Sequence, residues 1–283
     1  MMAMEQTRKR VGNTEVRDFW EHNPVAAEGI EASPGTPEFY ARFDAIREAD
    51  ECEPYVYSDM IHGYSSSAGK CVLDVGCGNG YVLSHYAKQG AEVFGVDITQ
   101  TALDLCKRRF ELSGLNGRFQ ITDGDTLTFS DNQFDIVCSM GVLHHIENPR
   151  PMVKEMERVL KPGGKVIVML YFRYSWKAMV IIRLKRLFDR RYRGKSQREA
   201  LNMNDGDDCP LAVVYSKAQA GELLSRFENH RFRLNQLSWK QLLLMPYLAR
   251  ILNPFLPNCN NSIFARLMGW NLYIEATKPI VQD

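Results

Sequence analysis

The stretch Val72–Tyr81, VLDVGCGNGY, decides the fold. A run that reads as a strand end is followed by glycines at 76, 78 and 80, and then by a helix-forming segment. Strand, glycine loop and helix in that order put backbone N–H groups and a helix N-terminus beside a ligand. The question is whether that ligand carries phosphate. Outward from the stretch, strand and helix patterns alternate. Cys71–Val75 reads as a buried strand and Tyr81–Gln89 as a helix ended by Gly90. Glu92–Val96 is a second strand, and Thr99 caps a helix through Leu112 with Gly114 as its stop. Arg118–Ile121, Phe134–Met140 and Lys165–Tyr171 read as further strands. Pro149–Leu160 is an amphipathic helix, and Lys161–Gly164 (KPGG) a turn. Strands separated by helices predict βαβ units and a parallel, doubly wound sheet. Ligands of such sheets lie at the C-terminal strand ends.

The glycine spacing is GxGxG, with Tyr81 following, whereas a dinucleotide fingerprint is GxGxxG. A GxxxxGK[ST] triphosphate loop is absent. Asp74 lies two residues before the first glycine. A carboxylate there repels pyrophosphate and suits a ligand with an ammonium or sulfonium. Asp97 ends the second strand, where a carboxylate can accept both hydroxyls of a ribose. It can also complement the dipole of the helix that starts after Thr99. Asp125, in the loop DGDTL, can accept from an exocyclic amine, or can be a turn residue. Adenine, a free ribose diol and a cationic amino-acid tail without phosphate describe S-adenosyl-L-methionine.

At this point the chain resembles the class I S-adenosylmethionine-dependent methyltransferases, small-molecule branch, near the ubiquinone and menaquinone biosynthesis enzymes. LDVGCGNG, GVD, DGDTLTFSDNQFDIVCSMGVLHHI and MERVLKPGGKVIVML match that pattern in order. The resemblance covers about residues 16–171. It implies an α/β, Rossmann-like, doubly wound, mostly parallel seven-stranded sheet with helical N-terminal and C-terminal additions. The expected organisation is a helical cap over 1–70, the cofactor core over 71–171, and substrate-side additions over 172–283. It further implies that Asp74, Gly76, Gly78 and Gly80 surround the methionine moiety and that Asp97 binds the ribose. Ile98 packs on the adenine, Asp125 and Thr126 meet its edge, Met140 lies near the methionine tail, and Trp20 helps close the pocket. The product is S-adenosyl-L-homocysteine.

Methyl transfer from a sulfonium is an in-line displacement that needs alignment above all. A hydroxyl, acidic carbon or thiol acceptor also needs a base. His144 and His145 follow the fourth strand and are the base candidates; the pair can equally shape the pocket. His22 is a weaker candidate, read first as a loop residue. No metal-ligand spacing is present, so no metal is expected. The acceptor pocket should come from the N-terminal helices, the segment after the fifth strand and residues 239–268. Trp20, Tyr40, Tyr171, Phe172, Tyr215 and Trp239 are its aromatic candidates.

Residues 173–198 hold ten Lys/Arg and one acid, Asp189, interleaved with Trp176, Met179, Ile182, Leu187 and Phe188. Three uses of such a segment are open: a solvated helix over the sheet, peripheral contact with an anionic membrane surface or lipophilic substrate, and nucleic-acid binding. The apolar run interrupted by Pro246, Pro254 and Pro257 points weakly to the second. A net charge of +1 argues against nucleic acid. The first twenty residues carry no apolar stretch of signal-peptide type. Seven cysteines without a CxxC pair suggest reduced thiols and a cytoplasmic protein. The expectation is therefore a methyltransferase acting on a small, lipophilic or aromatic acceptor. The alternatives are a non-catalytic S-adenosylmethionine-binding protein and a nicotinamide-dependent oxidoreductase.

Overall fold

The computed structural model describes residues 11–24, 30–49, 52–244 and 258–280. The proline-interrupted run of residues 245–257 lies outside them, as do residues 1–10 of the N-terminal stretch. Three helices precede the sheet: α1 (Asn13–His22), α2 (Pro37–Arg47) and α3 (Tyr55–His62). The doubly wound core follows as β1 (Cys71–Val75), α4 (Tyr81–Lys88), β2 (Glu92–Asp97), α5 (Gln100–Leu112), β3 (Arg118–Ile121), β4 (Phe134–Met140), α6 (Arg150–Val159) and β5 (Leu160–Phe172). Beyond it come α7 (Ile182–Phe188), α8 (Gln197–Asn202), β6 (Val214–Tyr215), α9 (Lys217–Leu223), β7 (Glu228–Asn235), α10 (Trp239–Leu243), a helix over Ile263–Met268 and β8 (Asn271–Thr277).

The strand order is β3-β2-β1-β4-β5-β8-β7, with β6 joined to β5. All pairings are parallel except those of β8, which runs antiparallel to both β5 and β7. The expected seven strands gain an eighth because Val214 and Tyr215 pair with Tyr171 and Phe172. Two residues carry too little periodicity to be read as a strand. The KPGG segment is also not a separate turn. It lies within β5, where the register jumps from Phe134↔Leu160 to Ile136↔Lys165. Gly163 donates to the carbonyl of Lys278, and Lys278 donates back to that of Gly164, so β8's end holds the irregular stretch.

Strands covered on both faces explain the apolar runs that mark the sequence. Leu73 and Val75 of β1 face a core with Met152 and Met156 of α6 and Leu223 of α9. Val72 faces the opposite core with Leu83 and Tyr86 of α4 and Phe39 of α2. β1 pairs with β2 on one side and β4 on the other, so the strand order reverses there. A crevice must open between the loops that leave those strands in opposite directions.

Candidate functional site

That crevice is a cavity with about 940 Å³ of empty space, its open mouth included. Gly76 and Gly78 line it from the β1 loop, and Asp97, Ile98 and Thr99 from the end of β2. Met140, Val142 and His145 line it from the end of β4, and Asn13, Val16 and Trp20 from α1. Helix α1 is tied across the mouth by Glu21, whose carboxylate accepts from the N–H groups of Gln100 and Thr101 and from the Thr101 hydroxyl. An acid at the N-terminus of α5 also complements its dipole. Nothing in the local pattern of α1 signals this clamp, because its partners are about eighty residues away.

The glycine loop is held by its own N–H groups. Gly76 and Cys77 both donate to the Val96 carbonyl, at 2.8 and 3.0 Å, and Gly80 donates to that of Cys77 at 2.9 Å. Gly78 donates to Asp97 Oδ2 at 3.0 Å. Tyr81, at the start of α4, donates to Asn79 Oδ1 at 3.2 Å. The N–H groups of Gly76, Cys77, Gly78 and Gly80 are therefore already spent, one of them on a carboxylate in the cavity wall. Each of the three glycines has a positive φ. At Gly76 a Cβ would stand 2.2 Å from Val142, and at Gly80 it would stand 2.6 Å from the Cys106 sulfur. Gly80 thus serves helix packing and does not line the cavity. At Gly78 a Cβ would meet nothing within 4 Å, so here the loop borders open space.

Asp97 also binds its own helix start, since Oδ1 accepts from the Thr99 N–H at 3.0 Å and the Thr99 hydroxyl at 2.9 Å. Each carboxylate oxygen has two acceptor sites. Oδ1 is filled and Oδ2 keeps one, enough for a single ribose hydroxyl rather than the expected two. Burial pushes the Asp97 carboxyl up, against the pull of these donors.

Asp74 is fully buried on β1 behind the loop and does not border the cavity. Its Oδ1 has no hydrogen-bond partner among the described residues, and burial pushes its pKa up to about 8. Burial thus favours the protonated acid, and a positive charge brought near it would favour the carboxylate. The DGDTL loop departs from expectation. Asp123, not Asp125, organises it, accepting from the N–H groups of Asp125 and Thr126 and from the Thr126 hydroxyl. That turn leaves Asp125 and Thr126 exposed and presents Thr122 and Gly124 to the cavity instead. The turn alternative for Asp125 is the one that its placement supports.

The adjacent histidines diverge. His144 is wholly buried, neither ring nitrogen has a hydrogen-bond partner among the described residues, and its ring lies tilted against that of Tyr171 with the centroids 3.8 Å apart. Burial holds it far below the usual imidazole range, and it does not line the cavity. It is a packing residue. His145 does line the cavity, with the Trp20 ring edge-on at 5.0 Å. Its Nδ1 lies 2.5 Å from the Leu211 carbonyl. A carbonyl only accepts, so Nδ1 carries the proton and Nε2 keeps its lone pair. Desolvation lowers the His145 pKa, and Asp205 opposes that shift. His22 is exposed, and its Nδ1 sits against the Asp18 carbonyl within α1.

Arg109 was not singled out in the sequence. Its side chain is 4% exposed. It donates to the Asn79 carbonyl and Asn79 Oδ1 in the glycine loop, and to both oxygens of Asp44 on α2. The guanidinium also lies 4.6 Å over the Tyr40 ring. One buried cation thereby joins the loop, α5 and α2. Of the aromatic acceptor candidates, only Trp20 borders this cavity. Tyr40 hydrogen-bonds the Leu105 carbonyl in the core, and Tyr171 and Trp270 stack at 4.3 Å. Tyr215 lines a second groove with Arg173, Arg183 and Arg198.

Residues 73–168 match the family described as methyltransferase domain. Among curated proteins, the ubiquinone biosynthesis O-methyltransferase of Coxiella burnetii is 42% identical over 98 residues, 35% of this chain and 42% of that protein. The enzyme of the same name from Azoarcus sp. is 39% identical over 109 residues, 38% of this chain and 47% of its own. The chain thus spans less than half the length of these relatives. Among solved structures, a SAM-dependent methyltransferase from Methanosarcina mazei superposes with a TM-score of 0.54 at 23% identity, covering 78% of this chain and 98% of that one. The [4+2]-cyclase SpnF superposes with a TM-score of 0.57 at 20% identity, covering 95% and 97%. The structural likenesses establish a Rossmann-like α/β fold. A fold also found in a protein titled as a cyclase does not by itself fix the reaction.

Proposed function

We propose that the protein transfers a methyl group from S-adenosylmethionine to a small molecule. The observation that carries this reading is the internal use of the glycine-loop donors, with Asp97 facing the cavity. A site built this way rejects pyrophosphate and accepts an uncharged ribose. The methyltransferase domain match over residues 73–168 supports the same donor. The open space at Gly78 leaves room for an amino-acid tail. S-adenosylmethionine supplies an already activated methyl on sulfur. Asp97 Oδ2 would hold a ribose hydroxyl of that donor, Ile98 and Val142 would give it apolar walls, and α1 with Val16 and Trp20 would exclude water above them. His145 places its imidazole ring in the cavity wall. The relatives' names make an oxygen acceptor of the quinone-precursor kind the first class to try.

Calorimetric titration of the purified chain with S-adenosylhomocysteine and with NAD⁺ tests the donor. Micromolar binding of the former and none of the latter is expected. Binding of NAD⁺ alone would make the loop a phosphate cradle and sink the reading. Methyl transfer to an acceptor panel then separates an enzyme from a donor-binding protein.

The basic segment 173–198 supports a further reading, contact with an anionic membrane surface. Leu187 and Phe188 are 72% and 82% exposed, flanked by exposed Arg183, Arg186, Arg190 and Arg191. No helix among the described residues is long and apolar enough to cross a membrane. Sedimentation with phosphatidylglycerol vesicles, but not phosphatidylcholine ones, is expected, with a loss of at least about tenfold in a Leu187→Ser/Phe188→Ser variant. Equal binding by the variant would remove this role.

A further inference from the structure

Behind His145, away from the glycine loop, three side chains from two segments converge. His145 nitrogen, Asp205 oxygen and Cys209 sulfur lie within 4.8 Å of one another. We propose that His145, Asp205 and Cys209 form a binding site for one divalent cation of the zinc class at the edge of the cavity. The inference rests on the proposed function only for what the cation would act on, not for its binding.

The hydrogen bonds around the three residues carry the argument. His145 Nδ1–H donates to the Leu211 carbonyl, which leaves Nε2 a lone pair and no proton. Asp205 Oδ1 accepts from the Tyr171 hydroxyl at 2.5 Å and from Asn204 Nδ2 at 3.3 Å. Asp205 Oδ2 is buried without a hydrogen-bond partner among the described residues. The Cys209 sulfur is turned toward the same Leu211 carbonyl at 3.6 Å. An unpaired carboxylate oxygen thus belongs to a cluster in which imidazole, carboxylate and thiol all lie within 4.8 Å of one another. Such an oxygen is costly in a buried place unless a positive charge joins it. Lys177 does not supply that charge by contact. Its ammonium sits 4.8 Å over the Trp270 ring, and no ion pair joins it to Asp205.

The pattern is that of a metal site with its outer shell in place. A ligating imidazole donates its other N–H to a carbonyl, and a ligating carboxylate is itself hydrogen-bonded, here by Tyr171. Nitrogen, sulfur and oxygen together suit zinc better than magnesium or calcium, which take oxygen alone. Ligand atoms around zinc stand roughly 3.5 Å apart. Closing from the present spacing needs a side-chain shift of about an ångström, within rotamer adjustment. Three protein ligands leave a fourth position, as at zinc sites that act on substrates. His145 also lines the cavity, so an acceptor hydroxyl there would meet the cation's field and ionise more readily. Nε2 then acts as a ligand rather than as a free base. The sequence hides the site because His145 and Cys209 are 64 positions apart and fit no metal-ligand spacing.

The test is titration of the full chain, stripped with a chelator, with Co²⁺ and then Zn²⁺. One equivalent of cobalt with a thiolate-to-cobalt absorption, displaced by zinc, is expected. Cys209→Ser should abolish the absorption, Asp205→Asn should weaken zinc binding roughly 100-fold, and Tyr171→Phe should weaken it roughly tenfold. Absence of stoichiometric binding, or an absorption that persists in Cys209→Ser, overturns the proposal. S-adenosylhomocysteine binding is measured on the same samples and should survive in Cys209→Ser. In the unsubstituted chain, nucleoside binding without cobalt binding fails the metal site alone, and cobalt binding without nucleoside binding fails the donor reading alone.

Discussion

Asp97→Ala is expected to weaken S-adenosylhomocysteine binding by 100- to 1000-fold, roughly 3–4 kcal/mol. Two losses add. The ribose loses a charged acceptor, typically worth about 1.5–3 kcal/mol. The glycine loop loses the bond from Gly78 to Asp97 Oδ2, and with it the contact that fixes the shape of the donor pocket. The Thr99 N–H and hydroxyl lose their partner as well, so α5 loses an anchor at its first turn. Relief of the buried carboxylate's desolvation offsets part of the cost to stability. Affinity should therefore fall further than the melting temperature does. Asp97→Asn separates the effects. Its amide oxygen can still serve Thr99, but its NH₂ then faces the Gly78 N–H, donor against donor. Calorimetry should rank the proteins wild type, Asn, Ala. An alanine variant that binds within about tenfold of wild type would show that Asp97 shapes the loop and does not meet the ligand.

The same residue shows what a sequence can and cannot reveal. The place of Asp97 in the cavity wall was legible because a strand end is a fixed place in such a sheet. The parallel strands, their crossover helices and the side of the sheet on which the cavity opens followed from periodicity, since each buried strand needs an apolar run and each crossover a helix. Asp97's two bonds to Thr99 were not legible, and they decide how much of the carboxylate is left for a ribose. Asp125 misled because acids in turns and acids in sites look alike in a single sequence; the Asp123 side chain took the organising role by accepting from two N–H groups. His144 and His145 are neighbours in the chain but not in environment. After β4 the chain turns through a short 3₁₀ segment, Leu143–His145, that points one ring into the core and the other toward the cavity. Asp205 and Cys209 were visible only as a polar, acidic stretch, because their meaning depends on β5 and the His145 turn lying beside them. What local pattern encodes was readable, and what long-range side-chain bonds encode was not.

Arg109 is the strongest instance of the second kind, and its replacement should have the largest effect on stability. In the sequence it is one of a pair, Arg108-Arg109, on a helix with other charges. In the structure the two part company. Arg108 is 51% exposed and pairs with Glu111, itself 65% exposed, an arrangement worth little. Arg109 is buried with four hydrogen bonds to Asp44 and Asn79. Truncation to alanine strands the Asn79 carbonyl, leaves the Asp44 carboxylate half-buried without its cation, and opens a gap under the Tyr40 ring. Breaking a buried pair on one side costs about 3–5 kcal/mol, a large share of the roughly 5–15 kcal/mol that holds a domain folded. Arg109→Ala should melt on the order of 10 °C lower, while Arg108→Ala stays within about 0.5 kcal/mol of wild type. Arg109→Lys should recover less than half of the loss, because an ammonium cannot serve both partners with the guanidinium's planar fork. Nucleoside affinity should fall with Arg109→Ala as well, through Asn79 and the loop it closes. Urea unfolding of the three variants checks the ranking. If Arg109→Ala and Arg108→Ala unfold within about 1 kcal/mol of each other, the buried cation does not hold the glycine loop to α2 in the way argued.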